Sequence, residues 1–259
     1  MFANGGNAVG QVSDPYFMCE STDGGIMVCD NGSKRIQELF LDGRPPRVVI
    51  QFNDGTQPTG IVRCDNGDFI VADYNKHRVM RIDGRATIKW TVGTLGNGKD
   101  QFNSPYGVAI LLDGRVVVAD CANNRLQVLN ADTGVVVGTI TRNDGVAWSN
   151  PFGITVDDKG LIYVAEHSAH RVVVINVDGT VVRTLGSQGN GQGQLSNPSG
   201  VTVDGKGNVL VGDRSNKRIV VFRPDGTSMH IPTPGNAYDV LISSTNRLIV
   251  SGAHFVAEY

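Results

Sequence analysis

Six side chains stand one place after a recurring proline slot: Tyr16, Thr59, Tyr106, Phe152, Ser199 and Tyr238. A second set opens a recurring loop: Asn31, Tyr74, Cys121, His167, Arg214 and Ala253. A third stands just before a recurring arginine: Lys34, His77, Asn124, His170 and Lys217, with Lys76 and Asn216 one place earlier. Rings interleaved with cations and amides suit unpaired nucleotides. Bases stack on such rings at roughly 1–3 kcal/mol each while Lys and Arg hold phosphates, and Asn reads exposed base edges. The same residue types serve protein interfaces, where Tyr and Arg are frequent anchors. A third reading is structural: rings that plug a channel, and Asn and Lys as ordinary turn residues.

Other chemistries find fewer residues. Of the five histidines, His77 and His170 share one repeat position in separate copies, and His167 and His170 share one loop. Two ligands fall short of a zinc site. The four cysteines (Cys19, Cys29, Cys64, Cys121) have no CxxC spacing, and Cys29 closes an apolar strand pattern as a small core filler would. Glu20 is the one acid on an inner-strand pattern with a view of the interior, and one carboxylate does not make an acid–base pair. Neither a nucleophile-elbow nor a phosphate-loop motif occurs. The sequence therefore predicts no catalysis, no cofactor and no metal. Arg63 occupies a strand slot that other copies fill with Leu111, Val156 and Val203. It is read either as an anion contact or as a partner for Glu20, with the pairing preferred.

These residues are set by a repeat. A proline is followed fifteen places later by an acid and five places after that by an arginine: Pro15–Asp30–Arg35, Pro58–Asp73–Arg78, Pro105–Asp120–Arg125, Pro151–Glu166–Arg171 and Pro198–Asp213–Arg218. Units of about 40–50 residues holding four short strands point to a β-propeller. In the fifth copy, Val201–Asp204, Asn208–Asp213, Arg218–Phe222 and Ser228–Ile231 read as strands separated by Gly, Asp and Pro turns. Apolar residues on both strand faces fit sheets packed between neighbours. Each acid–arginine pair should pin the loop between its second and third strands, since a guanidinium grips a carboxylate through two hydrogen bonds.

A sixth copy is degenerate. Ala237 takes the proline slot, Asp239 the glycine slot two places on, Asn246 the turn glycine, and Gly252 the acid. It holds three strands, ending in His254–Tyr259. Met1–Asn4 align with the end of a fourth strand. The expectation is an all-β, six-bladed β-propeller of four-stranded antiparallel blades over residues 1–259, its last blade closed by both termini, which removes exposed sheet edges. So short an N-terminal contribution suggests a fragment of a longer protein.

The chain of 259 residues is 40% hydrophobic and 19% charged, enough for one sizeable core. Its 33 glycines exceed the usual share of about 7%. The formal charge of −2 argues against a wholesale polyanion-binding surface, though not against a local basic patch. No apolar run approaches the roughly 18 residues of a membrane span. The opening residues lack the pattern of a secretory leader, and free thiols favour a reducing compartment. A monomeric cytoplasmic protein without membrane attachment is expected.

The units resemble NHL repeats, whose pattern is Pro-x-Gly, a Tyr-Val-Ala-Asp-like strand, an Asn-x-Arg-Ile loop and Asp-x-x-Gly. Here it stands as Pro105-Tyr106-Gly107, Val116-Val117-Val118-Ala119-Asp120 and Asn123-Asn124-Arg125-Leu126. Tyr238-Asp239-Val240 and the clipped last blade are similar to the final blade of NHL domains in tripartite-motif (TRIM) proteins. That resemblance implies a post-transcriptional regulator whose propeller binds short single-stranded RNA on one face. The alternative is a protein-interaction or ubiquitin-ligase substrate-recognition propeller. The residues that would carry binding are Tyr16, Lys34, Tyr74, Lys76, His77, Tyr106, Asn124, Phe152, His167, His170, Arg214, Lys217 and Tyr238.

Overall fold

In the computed structural model, which describes residues 3–259, six four-stranded antiparallel sheets surround a common axis. Blades 1 to 5 are β2–β5 (Pro15–Gln51), β6–β9 (Pro58–Val92), β10–β13 (Pro105–Ile140), β14–β17 (Pro151–Leu185) and β18–β21 (Pro198–Pro232). Blade 6 takes β22 (Ala237–Ile242), β23 (Leu248–Gly252) and β24 (Phe255–Glu258) from the C-terminal side. Its outer strand is β1 (Ala3–Asn4), paired as Ala3↔Val256 and Asn4↔Phe255. The fold, its blade count and its closure by both ends thus match the sequence reading. Met1 and Phe2, assigned to that same strand, lie outside the described residues.

Packing follows from strand geometry. Successive side chains on a strand point to opposite faces. On β11 (Val116–Asp120), Val117 and Ala119 therefore join the core against blade 4, while Val116 and Val118 join the core against blade 2. Six such cores lie between neighbouring blades. A seventh, smaller cluster sits on the axis: Phe17, Cys121 and Phe152, with Tyr16 and Tyr106 against it.

The inner strands approach one another closely, which explains the Pro-x-Gly pattern. A Cβ added to Gly60, Gly107 or Gly153 would overlap the carbonyl oxygen of Tyr106, Phe152 or Ser199 in the next blade. Each inner strand also breaks register just after its first residue, as between Pro105 and Val108. Such a bulge re-aims the intervening side chain. The upper face, where the inner strands begin, also carries the loops joining second to third strands. The lower face carries the other turns. No helix is long and apolar enough to cross a membrane among the described residues.

Candidate functional site on the upper face

The bulges bring the residues after the prolines together at the axis. Tyr16 stacks on Tyr238 with ring centroids 5.0 Å apart and lies 5.7 Å from Tyr106. Tyr106 stacks on Phe152 at 3.8 Å, and Phe152 on His167 at 5.1 Å. Phe17, standing where most blades have glycine, adds a further ring 6.1 Å from Phe152. Phe152 and Tyr238 are only 4% and 6% exposed. Burial raises the pKa of the Tyr106 hydroxyl, with the neighbouring Tyr16 and Tyr74 adding to it. It also raises that of Tyr16, against the opposing pull of Arg214. Thr59 and Ser199 complete the ring. The Thr59 hydroxyl bonds to the carbonyls of Ala72 and Pro105, and the buried Ser199 Oγ has no hydrogen-bond partner.

In blades 1 to 5 the first residue of the loop between second and third strands leans over the next blade. Asn31 Nδ2 donates to Pro58 O at 3.2 Å. Tyr74 lies 5.3 Å from Tyr106, and Cys121 packs on Phe152. His167 Nδ1 sits 3.1 Å from Pro198 O; burial lowers its pKa, against that hydrogen bond. The Arg214 guanidinium lies 4.7 Å above the Tyr238 ring. Tyr74, at 36% exposure, is the outermost ring of the set.

The residue before each arginine has left-handed backbone: Lys34, His77, Asn124, His170 and Lys217 have φ of 50–54°. In three blades its side chain clips the next blade. His77 Nδ1 accepts from Ser104 N–H at 3.0 Å, Asn124 Oδ1 from Asn150 N–H at 2.8 Å, and His170 Nδ1 from Asn197 N–H at 3.0 Å. An ammonium has no lone pair to accept with, so Lys34 and Lys217 make no such clip and are exposed, as is Lys76. The clip escaped sequence reasoning. Its signal was one repeat position held by Asn, His or Lys, since Asn and His tolerate positive φ well.

All five acid–arginine pairs form, at 2.6–2.9 Å, with fully buried carboxylates. They hold more than the expected loop. The second carboxylate oxygen accepts the backbone N–H of Ser13, Gln57, Asn103, Ser149 or Ser196, just ahead of the inner strand. In blades 1, 3 and 5 the guanidinium also donates to carbonyls of the incoming linker, such as Asn97, Gly98 and Gln101.

This pinning shapes the charge of the face, whose linkers also carry Asp14 and the exposed Asp100. Its repeat carboxylates are buried and neutralised, and Asp54 and Asp144 are taken up by Arg78 and Arg142. Lys34, Lys76, Arg214 and Lys217 have no carboxylate partner among the described residues. Asp42, Asp83, Asp113, Asp178 and Asp225 all lie on turns of the lower face.

Three expectations are corrected. Arg63 does not pair with Glu20; it is exposed at the end of its inner strand. Glu20 instead accepts from Ser244 N–H at 3.0 Å and Ser244 Oγ at 2.6 Å, tying blade 1 to blade 6. The counterpart of Arg63 in blade 3 is Ile110, not Leu111: Arg63 pairs with Phe69 where Ile110 pairs with Val116. The acid at the axis is not Glu20 but Asp239, buried and lining a channel of about 170 Å³ below the rings, with Cys19, Thr155 and Thr202. Its presence in a glycine slot was the available signal. Among the described residues no three His, Cys, Asp or Glu side chains converge to hold a metal.

Four segments, residues 56–81, 102–129, 149–175 and 195–222, match the NHL repeat. The chain carries NHL repeats, and these segments fall on blades 2 to 5. It is 34% identical to NHL repeat-containing protein 3 of Homo sapiens over 104 residues, 39% of this chain and 27% of that protein. It is 28% identical to peptidyl-glycine alpha-amidating monooxygenase B of Xenopus laevis over 145 residues, 50% of this chain and 17% of that one. The chain thus spans less than a third of these relatives, neither of which is a TRIM protein. Among solved structures it is similar to a gluconolactonase from Xanthomonas campestris, with TM-score 0.76 and 16% identity over 95% of this chain and 85% of that one. It is also similar to a streptogramin B lyase, with TM-score 0.70 and 14% identity over 96% and 83%. Likeness at this level shows the fold alone.

Proposed function

We propose that this propeller is a non-catalytic recognition module that engages a protein partner through its upper face. The observation that carries this reading is how the rings are used. Stacking on a base needs a free ring face, whereas Tyr106 and Phe152 stack on each other, and Tyr238 is buried with Tyr16 stacked on it and Arg214 over it. The amide and imidazole acceptors of His77, Asn124 and His170 are likewise engaged between blades. What the face offers is a shallow aromatic floor bordered by unpaired cations, the kind of surface on which Tyr and Arg anchor protein partners. Against catalysis stands the channel lining, in which Asp239 is the single carboxylate and so has no acid–base counterpart.

RNA recognition is the competing reading. It is favoured by Tyr74, whose exposed ring neighbours Lys76. Selection of the propeller against a random RNA pool at about 0.15 M salt is expected to enrich no sequence. An enriched RNA would overturn the protein reading if its affinity fell steeply with salt and was lost in Tyr74→Ala with Lys76→Gln. Tyr74 suits this test better than Tyr106, whose removal would open the axial core.

A further inference from the structure

We infer that the low rim of the upper face above blade 6 is a docking site for an acidic segment of a protein partner, its carboxylates held by Arg214 and Lys217. This rests on the protein-recognition reading and narrows it to one sector of the face.

Blade 6 carries less chain on this side than its neighbour. Its loop from second to third strand is Ala253-His254, between the paired Gly252 and Phe255. Blade 5 has Arg214 to Lys217 between the paired Asp213 and Arg218. The connection leading into blade 6 is Thr233–Asn236, whereas residues 186–197 lead into blade 5. Both shortenings fall in the blade that carries the buried Tyr238, so less chain stands above that ring.

The charges on the blade 5 side of the drop are cations. Lys217 is exposed, and Arg214 crosses the Tyr238 ring. Neither has a carboxylate partner among the described residues. Asp213 is fully buried against Arg218, and Asp239 is buried below. Neither Ala253-His254 nor Thr233–Asn236 contains an acid. Asp14, on the far side beside Tyr16, is the nearest half-buried carboxylate of blade 1. A guanidinium offers paired donors that fit a carboxylate, and an ammonium a point charge beside it.

The geometry selects a peptide over a nucleotide. Tyr238 is only 6% exposed, with Tyr16 stacked on it at a 13° interplanar angle and the Arg214 guanidinium over its ring. No ring face is left for a base, while the cations remain free for carboxylates.

The test uses an arrayed decapeptide library with two fixed glutamates and the remaining positions randomised, alongside a ten-nucleotide oligouridylate. The wild-type propeller is expected to retain a subset of peptides. Arg214→Gln with Lys217→Gln should weaken those peptides by about tenfold or more, and Lys34→Gln with Lys76→Gln should leave them within about twofold. Unchanged thermal unfolding shows that each double variant is folded. Peptides that bind the Arg214/Lys217 variant undiminished but weaken in the Lys34/Lys76 variant would sink this docking site and spare the protein-recognition reading. Failure of the wild type to retain any peptide sinks both. Oligouridylate binding lost only in the Arg214/Lys217 variant would replace the peptide with a nucleic acid.

Discussion

Blades 5 and 6 sit side by side and are held by opposite means. In blade 5 the Asp213 carboxylate binds Arg218 and Ser196 N–H, and Arg218 donates to the carbonyls of Asn190, Gly191 and Gln194. The blade and its incoming linker are fastened by one buried ion pair. In blade 6, Gly252 stands in the acid's place, and the fastening runs sideways to blade 1. Asp239 accepts from Met18 N–H at 2.9 Å, Ser251 Oγ donates to Tyr16 O at 2.5 Å, and Ser244 bonds to Glu20. Blade 6 has little linker to grip, since only Thr233–Asn236 lead into it. Its polar bonds therefore cross the seam where the ring closes. Interior blades are stabilised from within, and the closing blade is stabilised by its neighbour.

The strongest test removes a pin. Asp120→Ala strands Arg125 and leaves Asn103 N–H without its partner. Unpairing a buried charge in this way costs about 3–5 kcal/mol. Ser251→Ala removes a single neutral hydrogen bond at the seam, worth about 1 kcal/mol. Urea unfolding of the two variants should separate clearly. Equal losses would mean that the pins do not dominate the interior blades.

Asp239 gives the seam a pH dependence of its own. Burial pushes its carboxyl up to about 7, with the N–H groups of Met18 and Val240 opposing the shift. A raised folded-state value means that the native state keeps the proton after the unfolded chain has lost it. The associated stability is complete below about pH 4 and declines as pH rises toward 7. Relative to wild type, Asp239→Asn should gain stability across that interval, by at most about 4 kcal/mol. Its Oδ1 can still accept from Met18 N–H. Unfolding free energies of both proteins measured between pH 4 and 8 should diverge upward. Parallel curves would show that the carboxylate is solvated at the seam.

Much of this was legible in the sequence because a repeat shows its register. Pro15, Asp30 and Arg35 recur with their partners at fixed spacing, and that spacing placed the blades and the pins. The rings at Tyr16, Tyr106, Phe152 and Tyr238 could likewise be assigned to the axis. Less legible was what each side chain faces. Whether Asn124 meets solvent or the backbone of Asn150 depends on blade twist and loop height, which spacing does not encode. Arg63 and Glu20 share equivalent slots in adjacent blades, yet Ser244 of the closing blade reaches Glu20 first. Asp239 was visible as a departure from glycine, but its bond to Met18 spans nearly the whole chain and has no local signal.

The smallest expected effect bears on the same contrast, at the clips. Asn124 clips blade 3 to blade 4 from left-handed backbone, while Lys217, at the border of blades 5 and 6, has the same backbone and no clip. Asn124→Gly loses the hydrogen bond, about 1 kcal/mol, but glycine relieves the positive φ and returns part of the loss. Asn124→Ala loses the bond and keeps the strain, so it should be the worse of the two. Lys217→Gly has only strain to lose and should be neutral or slightly stabilising. Thermal unfolding of the three variants should therefore rank Lys217→Gly above Asn124→Gly above Asn124→Ala. If the two glycine variants shift together, the Asn150 contact contributes nothing, and the border between blades 5 and 6 is no looser than the border between blades 3 and 4.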